Sequence, residues 1–201
     1  MKTTKIIYAL TLSTILISCN TKQKNSETEL STNEKPVSEK KVETSTKEDT
    51  LKIKGDYNGD GVFEYASVKA PKQIENDACE CEGGECIAYI VFSDTKIQQI
   101  KISGDIGGYL ENVGDLNEDG KDELLYQQGW CTSSWKTWTL WTLKSNKWVY
   151  AIEPFEINGE PEENEKIVTK DLKKKGNVIV KYSSKKDENL GAIVTKSVSI
   201  K

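Results

Sequence analysis

Three regimes of hydrophobic and polar patterning follow one another along the chain. Ile6 to Ile17 is an apolar run of about a dozen residues behind the charged start Met1-Lys2-Thr3-Thr4-Lys5. From Asn20 to about Thr50 the chain is Lys, Glu, Thr, Ser and Asn with hardly a large apolar side chain. From Leu51 onward apolar residues return in short runs rich in β-branched and aromatic types. No window there holds a 3.6-residue period over three turns, so the pattern predicts strands and an all-β fold. The predicted strands are Leu51 to Lys54, Phe63 to Val68, Ile87 to Phe92, Ile97 to Ile102, Leu110 to Val113 and Leu124 to Gln127. They continue with Lys136 to Leu143, Trp148 to Ile152, Lys166 to Lys170, Val178 to Tyr182 and Ile193 to Ile200. Turn residues such as Ser93-Asp94-Thr95-Lys96 and Lys144-Ser145-Asn146-Lys147 separate them.

The apolar run near the start is too short to span a bilayer as a helix. A positive start, a short apolar run and a small residue at its end describe a secretory signal. The run closes on Leu16-Ile17-Ser18-Cys19, which resembles the lipobox of bacterial lipoproteins. That resemblance implies cleavage after residue 18 and acylation of Cys19, and more than one acyl chain suffices for stable anchoring. Asn20 is not the aspartate that retains lipoproteins at the inner membrane in some bacteria, so the outer membrane is the expected site. Residues 19–50 cannot bury enough apolar surface to offset their ordering entropy and are expected to be a disordered tether. Thirty such residues reach roughly 30 Å. The remainder, 51–201, amounts to one domain.

Within that domain one pattern occurs twice. Asp56-Tyr57-Asn58-Gly59-Asp60-Gly61-Val62-Phe63-Glu64 and Asp115-Leu116-Asn117-Glu118-Asp119-Gly120-Lys121-Asp122-Glu123 both read D-x-N-x-D-G-x-x-E. The copies lie about sixty positions apart, and each is followed by a strand, a cysteine-containing loop and a hairpin (Ile87 to Ile102, Trp135 to Ile152). Calcium takes six to eight oxygen ligands, and alternate side chains of a tight loop converge on one point when glycine permits the turn. The expected ligands are Asp56, Asn58, Asp60, the Val62 carbonyl and Glu64 in one loop. In the other they are Asp115, Asn117, Asp119, the Lys121 carbonyl and Glu123. Two calcium ions are thus expected, stabilising the fold by binding the native state. An EF-hand would need a bidentate glutamate at position 12, where Ser67 and Tyr126 stand, and flanking helices.

A calcium loop followed by a strand, repeating every sixty residues or so, resembles the FG-GAP or VCBS repeats of integrin-α-like β-propellers. The resemblance covers about Leu51 to Ile157 and is carried by the two loops. It implies two propeller-blade-like β units with a C-terminal β segment. Two copies are too few for a closed propeller, which needs at least four blades. A compact monomer of two such units is expected.

Composition narrows the chemistry. All 28 basic residues are lysine against 32 acidic ones, a net charge of -4. Without arginine, the planar fork for phosphate and base edges is absent, which argues against nucleic-acid binding. Without histidine, the commonest general base and the Ser-His-Asp and Cys-His pairs are absent too. Besides Cys19 the chain carries Cys79, Cys81, Cys86 and Cys131, an even number that in an exported protein suggests disulfides. Four cysteines allow three pairings. If the two units pack side by side, Cys131 bridges to the Cys79–Cys86 loop and the remaining two close a local ring. All five tryptophans fall between Trp130 and Trp148. They read as core, with Trp130 and Trp138 as the pair to form a ligand platform if any faces water. The function expected is a membrane-anchored module of the cell envelope that binds a protein or glycan partner. A carboxylate-dependent, glycan-active enzyme and a purely structural lipoprotein are the alternatives.

Overall fold

The computed structural model describes residues 51–75 and 77–201. The leader, Cys19 and the tether lie outside the described residues. The fold is all-β, in open sheets with no closed propeller or barrel; the one helical turn among the described residues is a 3-10 turn at Asp187–Asn189.

The chain begins with β1 (Ile53–Gly55) and β2 (Glu64–Lys69), then a short hairpin of β3 (Gln73–Ile74) and β4 (Asp77–Cys81). β5 (Ile87–Phe92) and β6 (Ile100–Ser103) complete a four-stranded antiparallel sheet in the order β1-β2-β5-β6. The second sheet repeats the plan with β7 (Tyr109–Gly114), β8 (Glu123–Gln127), β9 (Trp135–Lys144) and β10 (Lys147–Tyr150), again paired in sequence order. The ten-residue β9 also carries β11 (Phe155–Asn158) along its first half, Phe155 opposite Trp138. A third sheet joins β12 (Val168–Lys170), β13 (Asn177–Ser183) and β14 (Ile193–Ser199).

The burial of each strand shows where its sheet stands. β5 alternates, with Ala88 and Ile90 fully buried between half-buried neighbours, as a sheet with one wet face requires. In β8, Glu123 to Tyr126 are all buried in succession, so the second sheet is covered on both faces. Leu124 and Tyr126 pack with Ala66, Ile90, Ile97 and Ile100 of the first unit. Leu125, Trp138 and Leu140 pack with Ile167, Val168, Val178 and Val180 around the third sheet. The molecule therefore has two cores, one on each side of the second sheet. Trp148 extends the first core, stacked on Phe92 at 5.1 Å with its indole N–H donated to the Gln98 carbonyl.

The predicted strands need correction in three places. Within the acidic stretch Glu153 to Glu165, where no strand is expected, Phe155 and Ile157 are buried because β11 pairs with β9. The β3–β4 hairpin was not expected, since the cysteine-rich segment lacks an apolar alternation. Ile97 to Ile102 contributes only its second half to a strand, with Ile97 filling the core from the turn before it.

Candidate metal centre

The two D-x-N-x-D-G-x-x-E segments occupy equivalent places, one joining β1 to β2 and the other β7 to β8. Their internal geometry also repeats. Asp56 accepts the N–H groups of Gly59 (2.8 Å) and Gly61 (2.9 Å), and Asp115 accepts those of Asp119 (3.1 Å) and Gly120 (3.0 Å). Asn58 Oδ1 accepts Asp60 N–H at 2.8 Å, and Asn117 Oδ1 accepts Asp119 N–H at 2.9 Å. Asp60 Oδ1 accepts Val62 N–H at 2.8 Å, and Asp119 Oδ1 accepts Lys121 N–H at 3.1 Å. Glu64 reaches back to Tyr57 N–H (3.0 Å) as Glu123 does to Leu116 N–H (2.7 Å). Side chains at positions 1, 3, 5 and 9 are thus tethered to the loop's own amides, which is how short polar side chains curl a backbone.

The backbone follows the same rhythm. Positions 4 and 6 have positive φ in both copies: Gly59 (78°) and Gly61 (83°), then Glu118 (63°) and Gly120 (85°). Position 2 anchors each loop in a core, with Tyr57 fully buried in the first and Leu116 nearly so in the second.

The position-9 glutamates close the loops from inside the protein, and they differ. Both are buried. Glu64 Oε1 accepts a hydrogen bond from Asn58 Nδ2 at 3.0 Å. Glu123 receives no such bond, because Asn117 Nδ2 turns instead to Thr142 Oγ1 (3.3 Å) and the Lys201 carbonyl (3.1 Å). Burial pushes the Glu123 carboxyl up to about 7, against the pull of the Leu116 N–H. Burial also raises Glu64, opposed by the Tyr57 N–H and reinforced by Asp60 and Asp56. Among the described residues no three acidic or cysteine side chains already converge as a metal-holding group. The loop carboxylates are held on amide N–H groups, each oxygen retaining a second lone pair.

The expected ligand residues thus fall in two groups of five, one per loop. Sequence reasoning missed what joins the loops. Asp122 Oδ2 accepts Asp56 N–H (3.0 Å) and Asn112 Nδ2 (2.8 Å), while Asp122 N–H donates to the Asp56 carbonyl (2.8 Å). The signal available was that Asp122 breaks the repeat, its counterpart being Phe63.

The cysteines pair as Cys79–Cys131 and Cys81–Cys86, one bridge between the units and one local ring. Trp130 and Trp138 do not form an exposed platform. Trp130 is 48% exposed, but Trp138 is 2% exposed and lies in the second core. No helix among the described residues is long and apolar enough to cross a membrane. Comparison with known protein families, characterised proteins and solved structures found no match to this chain.

Proposed function

We propose that this chain is a lipid-anchored, calcium-stabilised β module of the bacterial cell envelope that presents a binding surface to a glycan or protein partner. The observation that carries the calcium reading is the duplicate hydrogen-bond pattern. Two loops of different sequence at positions 2, 4, 7 and 8 hold the same four side chains on the same amides, at the same junction of two four-stranded units. Plain hairpin turns need no such set of alternating carboxylates and amides. The donor set is all oxygen, which suits a hard divalent cation.

In the first loop, Asp56, Asn58, Asp60, the Val62 carbonyl and Glu64 would hold the ion. In the second, Asp115, Asn117, Asp119, the Lys121 carbonyl and Glu123 would do so. Bound calcium would neutralise the carboxylates clustered at each junction and lock the strands on either side. The loops resemble FG-GAP or VCBS repeats, in keeping with a scaffold role. The lipobox-like Leu16-Ile17-Ser18-Cys19 supports anchoring through Cys19. Equilibrium dialysis against radioactive calcium tests the metal sites directly. Two ions per chain are expected, falling to one in Asp60→Ala or Asp119→Ala; no retained calcium at millimolar concentration would refute the reading. Replacing Cys19 with Ser is expected to abolish incorporation of labelled palmitate.

A further inference from the structure

The first sheet presents an outward face that belongs to neither core. Strand pairing fixes what stands on it. Lys54 is opposite Tyr65; Lys69 is opposite Tyr89, which is opposite Lys101 in turn. Cross-strand partners share a face, as do residues two apart along a strand. Each row therefore sets lysine beside a phenol ring, and Ser67 opposite Val91 fills the ground between the rows. Phe63, just before β2, joins the first row, since the Lys54 ammonium lies 4.2 Å from its ring centre.

Three observations set this face apart from an ordinary solvated one. No strand position on it carries an acid, in a chain with 32 acidic residues against 28 lysines. Glu64 beside it is buried, Asp56 is held on its loop amides, and Glu85 and Asp94 lie beyond the ends of β5. Lys54, Lys69 and Lys101 stand in none of the ion pairs among the described residues. Phe63 and Tyr65 are 57% and 47% exposed, so large rings stand open between those cations. The outward face of the third sheet is the control. There Thr169, Ile179 and Ser197 stand abreast, Lys181 is paired with Glu165 at 2.8 Å, and Ser197 donates to Asp171 at 2.6 Å. One outer face is neutralised from within the chain, and the other is not.

We infer that the outward face of the first sheet binds an anionic polysaccharide of the uronate class, whose sugar rings carry carboxylates. The carboxylates pair with the lysines, and the apolar C–H faces of the rings rest on Phe63, Tyr65 and Tyr89. The two rows lie four residues apart along β2, about 13 Å, a span that takes an extended oligomer rather than one small anion. An acidic peptide brings carboxylates without ring faces, and a neutral glycan brings ring faces without charge. Lysine offers a point charge and not the planar fork that favours phosphate, which sets nucleic acid below a uronate. A lipid surface calls for apolar side chains reaching past the lysines, whereas the middle of this face is the short pair Ser67 and Val91. The inference names a partner class for the envelope-binding reading and rests on that reading, but it uses none of the calcium ligands.

The test is calorimetric titration of the full chain, in calcium, with the galacturonic acid hexamer. Its fully methyl-esterified form, hexaglutamate and phosphatidylglycerol vesicles are titrated beside it. The acid hexamer is expected to bind with submillimolar Kd, at least about tenfold tighter than the ester or hexaglutamate, and to weaken as salt is raised. Lys69→Gln plus Lys101→Gln is expected to weaken binding about tenfold, and Tyr65→Ser about threefold or more. All three side chains are exposed or at the surface, so Tm is expected to hold within a few degrees. Lys173→Gln plus Lys174→Gln, in an exposed turn of the third sheet, is expected to leave binding unchanged. Absence of binding, equal binding of the ester, or equal loss from the Lys173 and Lys174 changes would each overturn the inference. Hexaglutamate or vesicles bound more tightly, at these same residues, would also overturn it while leaving a binding module with a different partner. A chain that retains calcium in dialysis yet ignores the acid hexamer sinks this inference alone.

Discussion

Gly120 sits at position 6 of its loop with φ of 85° and open space where a Cβ would project, as does Gly61 in the first loop. An alanine there meets no neighbour, so its cost is the left-handed backbone alone. Gly120→Ala is expected to destabilise by about 1–2 kcal/mol in chemical denaturation, with calcium affinity lowered at that loop. Glu118 takes the same left-handed conformation with a side chain, and its ion pairs to Lys170 and Lys175 are surface contacts. Glu118→Gly, which restores the residue found at Gly59, is therefore expected to raise Tm. A second residue-level prediction concerns Asp105, fully buried, which accepts Tyr126 O–H (2.9 Å) and Gly107 N–H (2.7 Å). Burial raises its pKa, opposed by those hydrogen bonds. A carboxyl whose folded pKa lies above its unfolded value holds its proton more tightly when folded. Its contribution is therefore fully present at low pH and is lost as pH rises through the folded pKa. Asp105→Asn keeps an acceptor for Gly107 and removes that loss. The Tm of the variant relative to the parent is expected to climb as pH rises above the ordinary aspartate range; a constant difference would mean that Asp105 does not titrate differently on folding. At this scale the loop residues were legible because short polar side chains bonding their own backbone write a local code. Asp122 and Asn112 were not, because their surroundings are set by strand pairing far away in the chain.

At the scale of elements, alternation identified the strands wherever one face is wet, as in β5, and the continuous apolar stretch Leu124-Leu125-Tyr126 marks a strand covered on both sides. β11 escaped notice because only Phe155 and Ile157 are apolar within an acidic stretch, and its partner is the first half of a strand whose other half pairs elsewhere. The split use of β9 could not be read from its own sequence, although its length allows it. The disulfides belong to this scale as well. Cys79–Cys131 spans 52 residues and ties the inserted hairpin of the first unit to the β8–β9 loop of the second; Cys81–Cys86 spans 5. Chain entropy makes the long closure the stronger constraint on the unfolded state, about 4 kcal/mol against about 2 kcal/mol. Denaturant titration of Cys79→Ser plus Cys131→Ser beside Cys81→Ser plus Cys86→Ser is expected to show that order. Equal losses would mean that local packing, rather than closure of the long loop, sets the contribution.

The described residues stack their units along the chain, each core lying between one sheet and the next, with a D-x-N-x-D-G-x-x-E loop between the first two strands of the first sheet and of the second. Tyr57 seals the first loop to the first core and Leu116 the second loop to the second. The Asp56–Asp122 bonds join the loops, and Asn117 binds the Lys201 carbonyl at the end of the chain. Calcium bound only by the native state would therefore stabilise the junctions of the entire fold, by about 2.7 kcal/mol per site at a hundredfold excess over Kd. For a domain of about 150 residues that corresponds to a rise in Tm of about 5–10 °C per site. The measurement that tests this most directly is thermal unfolding of the full chain in calcium, in magnesium and in chelator, alongside the Asp60→Ala plus Asp119→Ala protein. A rise in Tm specific to calcium and absent from the double variant is the predicted result. An identical Tm in calcium and chelator would contradict the account and leave both loops as turns stabilised by their own hydrogen bonds.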